Sequence, residues 1–139
     1  MLDANAISDY VKALTPEQAE NVLALRQLLV ECSPGLSEEV CAGKWYTGLL
    51  TYKSAVTDFT IYALGPLSKG FTTFHMMPYY MNPVLHERHG AALKPFLTGK
   101  SCIKFQRYAD LPVDALRDIV SGGVETLVAA KAALDRRKK

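Results

Sequence analysis

Apolar residues recur at helical spacing near both ends of the chain and alternate at strand spacing in the middle. Ile7, Tyr10, Val11 and Leu14 fall on one stripe and predict a helix over residues 3–14. Thr15-Pro16-Glu17-Gln18 then reads as a second helix start. Thr15 is the cap, Pro16 the first helical residue, and Gln18 reaches back in a capping box. Val22, Leu25, Leu28, Leu29 and Cys32 make its apolar stripe, and Ser33-Pro34-Gly35 stops it. The middle is rich in β-branched and aromatic residues, which predict strands over residues 39–42, 46–52, 56–64 and 71–77. Gly43, Lys53-Ser54 and the segment from Gly65 to Gly70 divide them, and connections this short make neighbours antiparallel. Residues 79–81 and 84–90 suggest short helical turns broken by Asn82-Pro83. A last short strand follows at 102–105. A long C-terminal helix starts near Pro112 and carries Val113, Leu116, Val120, Val124 and Leu127. Gly122-Gly123 inside it marks a kink or a close backbone approach.

Helices, then strands, then helices predict an α+β fold. Its antiparallel sheet of about five strands packs on the N- and C-terminal helices. One sheet face carries the helices, and the other is open to solvent, a ligand or a partner.

The length of 139 residues fits one domain, taken as 1–139. Sixteen basic against 14 acidic residues leave a net charge of +2, too balanced for nucleic-acid binding. The basic excess sits in Arg136-Arg137-Lys138-Lys139, read as a frayed tail that complements a helix dipole. No run approaches the ~20 apolar residues of a membrane span. The polar start Met1-Leu2-Asp3-Ala4-Asn5 lacks a secretion signal. Cys32, Cys41 and Cys102 form no C-x-x-C pair, so zinc and thioredoxin-like chemistry are unsupported. Reduced, buried thiols in a cytoplasmic protein are the expectation.

Gly99-Lys100-Ser101 looks like the end of a phosphate loop. Such a loop needs a further glycine where Lys94 stands, so a cradle of amides is excluded. The stretch reads instead as the entry to the last strand, with Gly99 making the turn and Lys100 and Lys104 on one face for anion contact. His86-Glu87-Arg88-His89 is not the H-E-x-x-H of a zinc protease, because the second histidine comes one residue early. His86 and His89 at i, i+3 remain an alternative metal pair, with two exposed helix histidines the plainer reading. His75 lies in a strand on the face of Phe71 and Thr73. It is either a general base or ligand contact, or a packed histidine. Cys102 shares a strand face with Lys104, opposite Ile103, and nearby lysines lower a thiol pKa. No partner base is visible for it in the sequence. The predicted ligand-binding set is Trp45, Tyr46, His75, Tyr79, Tyr80, Lys100 and Lys104, suited to a planar or anionic ligand. A sheet merely covered by amphipathic side chains is the plainer alternative.

Several motifs resemble the YdhG-like family, a domain family of unknown function numbered eighteen-oh-one in the usual unknown-function series. They are Ile7-Ser8-Asp9-Tyr10-Val11, the helix centred on Leu25-Arg26, and the strand region from Val40 to Leu64. Gly99-Lys100-Ser101-Cys102-Ile103-Lys104-Phe105, followed by Leu111-Pro112-Val113-Asp114-Ala115-Leu116, carries the resemblance best. Many relatives have a proline after a glycine where this chain has Gly43-Lys44-Trp45. The resemblance implies a compact α+β domain related in shape to frataxin, some relatives being described as iron chaperones. On that footing iron is the alternative cofactor, held by early-helix carboxylates such as Glu17 and Glu20. The leading expectation is a small binding or chaperone-type module without established catalysis or cofactor. A frataxin-like iron carrier and an enzyme centred on His75 or Cys102 are the alternatives. No nucleic-acid or membrane partner is expected, and a homodimer through the aromatic face is the self-association to test.

Overall fold

The computed structural model describes residues 1–56 and 59–137. Asp3 caps α1 (Ala4–Lys12) by accepting from the Ala6 amide at 2.8 Å. The Thr15–Gln18 capping box starts α2 (Pro16–Cys32) with both reciprocal bonds formed. Five strands follow in the order of the chain: β1 (Ser37–Val40), β2 (Leu50–Lys53), β3 (Tyr62–Pro66), β4 (Thr72–Met76) and β5 (Cys102–Phe105). Each is antiparallel to the next, so the sheet is a simple meander. Between β4 and β5 lie α3 (Met77–Met81) and α4 (Pro83–Leu93), and after β5 come α5 (Val113–Ser121) and α6 (Gly123–Arg137). No described helix is long and apolar enough to cross a membrane.

The register decides what each sheet face does. Val40, Leu50, Leu64, Phe74 and Ile103 stand in one row across all five strands. The last four are fully buried against the helices, together with Val22, Leu25 and Leu29 of α2 and Leu116, Ile119 and Val120 of α5. The adjacent row, Glu39, Thr51, Ala63, His75 and Cys102, points to the opposite face. That face carries no helix stripe, as the two-faced pattern predicted.

Polar side chains of the helix layer tie the loops down. Gln18 donates to the carbonyls of Leu67 and Phe71, and Asn21 donates to the Gln106 carbonyl and accepts from the Tyr108 amide. Glu38 is buried on the helix side of β1. Arg26, Tyr52 and the Leu2 amide all donate to its carboxylate, while Arg26 also donates to the Leu2 carbonyl. Burial pushes this carboxyl up, but those three donors and the Arg26 charge outweigh it and hold it below its ordinary range.

Several expected boundaries move. β1 begins at Ser37 rather than residue 39, because Glu38 has to face Arg26. Residues 46–49 are loop, with Tyr46 at φ 64° and Gly48 at φ 84°. β3 starts only at Tyr62 and runs on to Pro66; Thr57 and Asp58 of the expected 56–64 strand lie outside the described residues. Lys100 precedes β5 and has no place on its pleat. Gly99 is not needed for its turn, since its φ is not left-handed and an added Cβ would meet nothing within 4 Å.

The single C-terminal helix is broken at Gly122. A Cβ at Gly123 would lie 1.9 Å from the Tyr62 hydroxyl, so that glycine is there for close approach. The segment before β5 doubles back beside it. Leu97 bridges Ile103, Thr98 N donates to Cys102 O at 3.0 Å, and Lys104 N donates to Phe96 O at 2.9 Å.

Candidate functional site

The β1–β2 connection, residues 41–49, folds over the open sheet face instead of ending in a tight turn. Cys41 and Leu49 keep the ladder paired at its base, and the Leu49 amide closes back onto the Tyr46 carbonyl. Cys41 Sγ donates to Trp45 O at 3.1 Å, Thr47 Oγ1 donates to Gly43 O, and Tyr10 Oη of α1 donates to Gly48 O at 2.8 Å. The left-handed backbone at Tyr46 costs of order 1–2 kcal/mol for a non-glycine residue. In return its ring is set edge-on to His75, with centroids 5.0 Å apart and planes at 64°.

Beside this contact lies an open groove of about 970 Å³. Its lining includes Lys44, Trp45, Tyr46, Leu49, Phe59, Leu67, His75 and Met77, with Glu39 and Lys53 at one side. Trp45 is 76% exposed, which leaves one face of the chain's only indole to solvent.

His75 and Cys102 are direct cross-strand partners, and Cys102 Sγ is 2.7 Å from His75 Nδ1. The other ring nitrogen, Nε2, is 3.4 Å from Thr73 Oγ1 on the same strand face. That hydroxyl spends its one proton on the Ile103 carbonyl at 3.2 Å, so toward His75 it accepts. The network therefore assigns the ring proton to Nε2 and leaves the Nδ1 lone pair facing the thiol. Burial lowers the imidazole pKa, which favours the neutral ring with its Nδ1 lone pair free. Tyr46 is raised by burial and then by the Cys102 charge, so its phenol stays protonated.

Of the predicted ligand set, the fold gathers Trp45, Tyr46 and His75 at the groove. Tyr79 is buried elsewhere, stacked on His86 at 4.4 Å. Tyr80 and Lys100 are exposed and do not line the groove, and Lys104 places Nζ 4.6 Å over the Phe71 ring. His86 and His89 turn to different partners. His86 Nε2 donates to Tyr79 O at 2.5 Å; His89 Nε2 donates to Asp118 Oδ2 at 2.6 Å, beside Arg88. The His89 and Arg88 hydrogen bonds lower the Asp118 carboxyl, which makes this an ion-pair cluster. Glu17 and Glu20 share a shallow cleft with Arg107, whose charge opposes a cation there. Among the described residues no three His, Cys, Asp or Glu side chains form a metal-holding group.

All three cysteines are free thiols, half-buried rather than buried as expected. The residue that sequence reasoning left without a role is Thr73. Its signal was there, two residues from His75 on one pleat. The pairing of His75 with Cys102 had none, because it depends on the β4–β5 register.

A crystal structure of a protein from the DUF1801 family, YdhG of Bacillus subtilis, matches this chain with a TM-score of 0.62 at 13% identity. The match covers 88% of this chain and 90% of that one. At that identity the likeness is one of fold, and the α+β meander is YdhG-like, as the motifs implied. No family model and no curated protein matches the chain.

Proposed function

We propose that the protein is a small binding module whose ligand enters the groove under the 41–49 loop. The observation that carries this is the strained placement of Tyr46 over His75 beside an exposed Trp45. A loop that stores backbone strain to aim aromatic rings over a concave sheet face is organised for contact with something else. The lining also defines the ligand. Trp45, Leu49, Phe59 and Met77 suit a flat apolar body. Lys44, its Nζ 6.0 Å from the Trp45 ring, suits an anionic group at one end. Lys53 is already engaged by Glu39 at 3.9 Å. Three free thiols fit a reducing, cytoplasmic setting.

Anilinonaphthalene sulfonate has this chemistry and is the probe. Its emission is expected to rise on binding while Trp45 emission is quenched, and Trp45→Ala and Lys44→Ala should each weaken the titration. A titration that gives no change, or that both variants leave untouched, refutes the assignment. So does a sedimentation profile showing a dimer whose Trp45 is shielded from quenchers, because the face would then be an assembly surface.

A further inference from the structure

We propose that Cys102 is a covalent nucleophile, activated by His75 and oriented through Thr73, for activated acyl esters delivered by the groove. The proposal rests on the groove for delivery of the acyl chain, but not for the reactivity of the thiol. Three observations converge. First, nucleophile and base are within hydrogen-bond reach, 2.7 Å from Cys102 Sγ to His75 Nδ1. Second, the base is oriented by a third group: Thr73 is committed to the Ile103 carbonyl and so fixes the Nε2–H form of the ring. Third, all three residues project from neighbouring positions of two paired strands, so their spacing is set by rigid backbone and not by a loop.

Cys32 and Cys41 show what a thiol without a base looks like in the same chain. Cys41 Sγ donates to the Trp45 carbonyl, and Cys32 Sγ lies 3.7 Å from Arg117. His75 also lines the groove, with Tyr46 and Met77, and half-buried Cys102 sits directly behind it on the neighbouring strand, so an acyl chain lying in the groove would reach the pair from the His75 side.

The chemistry balances without a cofactor. Cys102 gives its proton to His75 Nδ1 as sulfur adds to the acyl carbonyl carbon, forming a C–S bond. The C–O bond to the leaving alcohol breaks, and the His75 imidazolium returns its proton to that oxygen. Water completes a cycle. His75 takes a proton from it as its oxygen adds to the same carbon, the C–S bond breaks, and the departing sulfur recovers the proton.

The test has two arms. In the first, the folded protein meets limiting iodoacetamide and the three thiols are compared by peptide mass mapping. Cys102 is expected to react about tenfold faster than Cys32 and Cys41. Both His75→Gln and Thr73→Val should bring it down to their level, while Thr73→Ser keeps the preference. Circular dichroism confirms that each variant is folded. Equal rates at the three thiols, or a preference that survives His75→Gln, overturn the proposal. In the second arm, p-nitrophenyl butyrate should release a burst of nitrophenolate and leave a butyryl group on Cys102 by mass. Absence of that adduct overturns the acyl assignment. A butyryl burst that Trp45→Ala leaves unchanged, beside a normal first arm, refutes groove delivery while the thiol–imidazole pair stands.

Discussion

Gly123 is where the fold tolerates least, and the sequence offers its own control one residue earlier. In Gly123→Ala the new Cβ would lie 1.9 Å from Tyr62 Oη, 3.2 Å from Tyr62 Cζ and 2.9 Å from Pro78 Cγ. None of these can step aside freely. Tyr62 is fully buried, its ring is stacked on Phe74 at 5.9 Å, and its hydroxyl donates to Val120 O at 3.3 Å. Overpacking of this kind costs about 1–3 kcal/mol. Displacing the hydroxyl from Val120 adds about 1 kcal/mol. The gain in helix propensity is at most about 1 kcal/mol at this first helical position. The net is a loss of about 1–4 kcal/mol, or a melting midpoint lower by roughly 3–16 °C for a chain of this size. At Gly122 the nearest atom to an added Cβ is Asp118 O at 3.9 Å, so Gly122→Ala should be close to neutral. Thermal unfolding followed by circular dichroism measures both variants. Equal midpoints for the two would refute the close-approach argument.

The Glu38 network predicts a pH dependence. Its carboxyl is lower in the folded chain than in the unfolded one, so its contribution is complete above the ordinary carboxylate range and fades as pH falls through the lowered folded value. Glu38→Gln should destabilise by about 3 kcal/mol at pH 7, by leaving Arg26 without its carboxylate, and should flatten this acid limb in urea unfolding measured across pH. An unchanged acid limb would show that other carboxylates carry it. Thr15→Ala removes one half of the capping box and should cost about 1 kcal/mol in the same assay; no loss would mean that Pro16 and the Gln18 bonds to the 67–71 loop hold the helix start unaided.

What was legible in the sequence was local. The Thr15 box and the stop at Ser33-Pro34-Gly35 each concern residues within one turn of each other, and α2 has the limits they set. That the sheet has one covered and one open face was legible too, but which pleat faces the helices was not, because strand alternation alone does not say where the helices pack. Nor were the strand ends. Tyr46 reads as the start of a strand by propensity, yet it sits in the left-handed region because the loop bonds to Tyr10, Cys41 and Gly43 override that preference. The site followed the same division. His75 and Cys102 each drew notice alone, 27 positions apart, and only the β4–β5 register puts them opposite one another. The motif His86–His89 suggested a shared ligand; Asp118, 29 residues on, claims the second histidine as a hydrogen-bond partner.

The doubled-back segment at 96–98 has a consequence for how this molecule meets others. An outermost strand normally offers its free amides and carbonyls as a template for a foreign chain. Here the outward side of β5 is already engaged by Phe96 and Thr98 of the same molecule. The Gly-Lys-Ser stretch that imitates a nucleotide cradle is the return of that seam. Filament growth through β5 is blocked, and a second copy that extends the sheet has to join at β1. The strand carrying Cys102 is meanwhile held from both sides, so its thiol cannot slip in register away from His75.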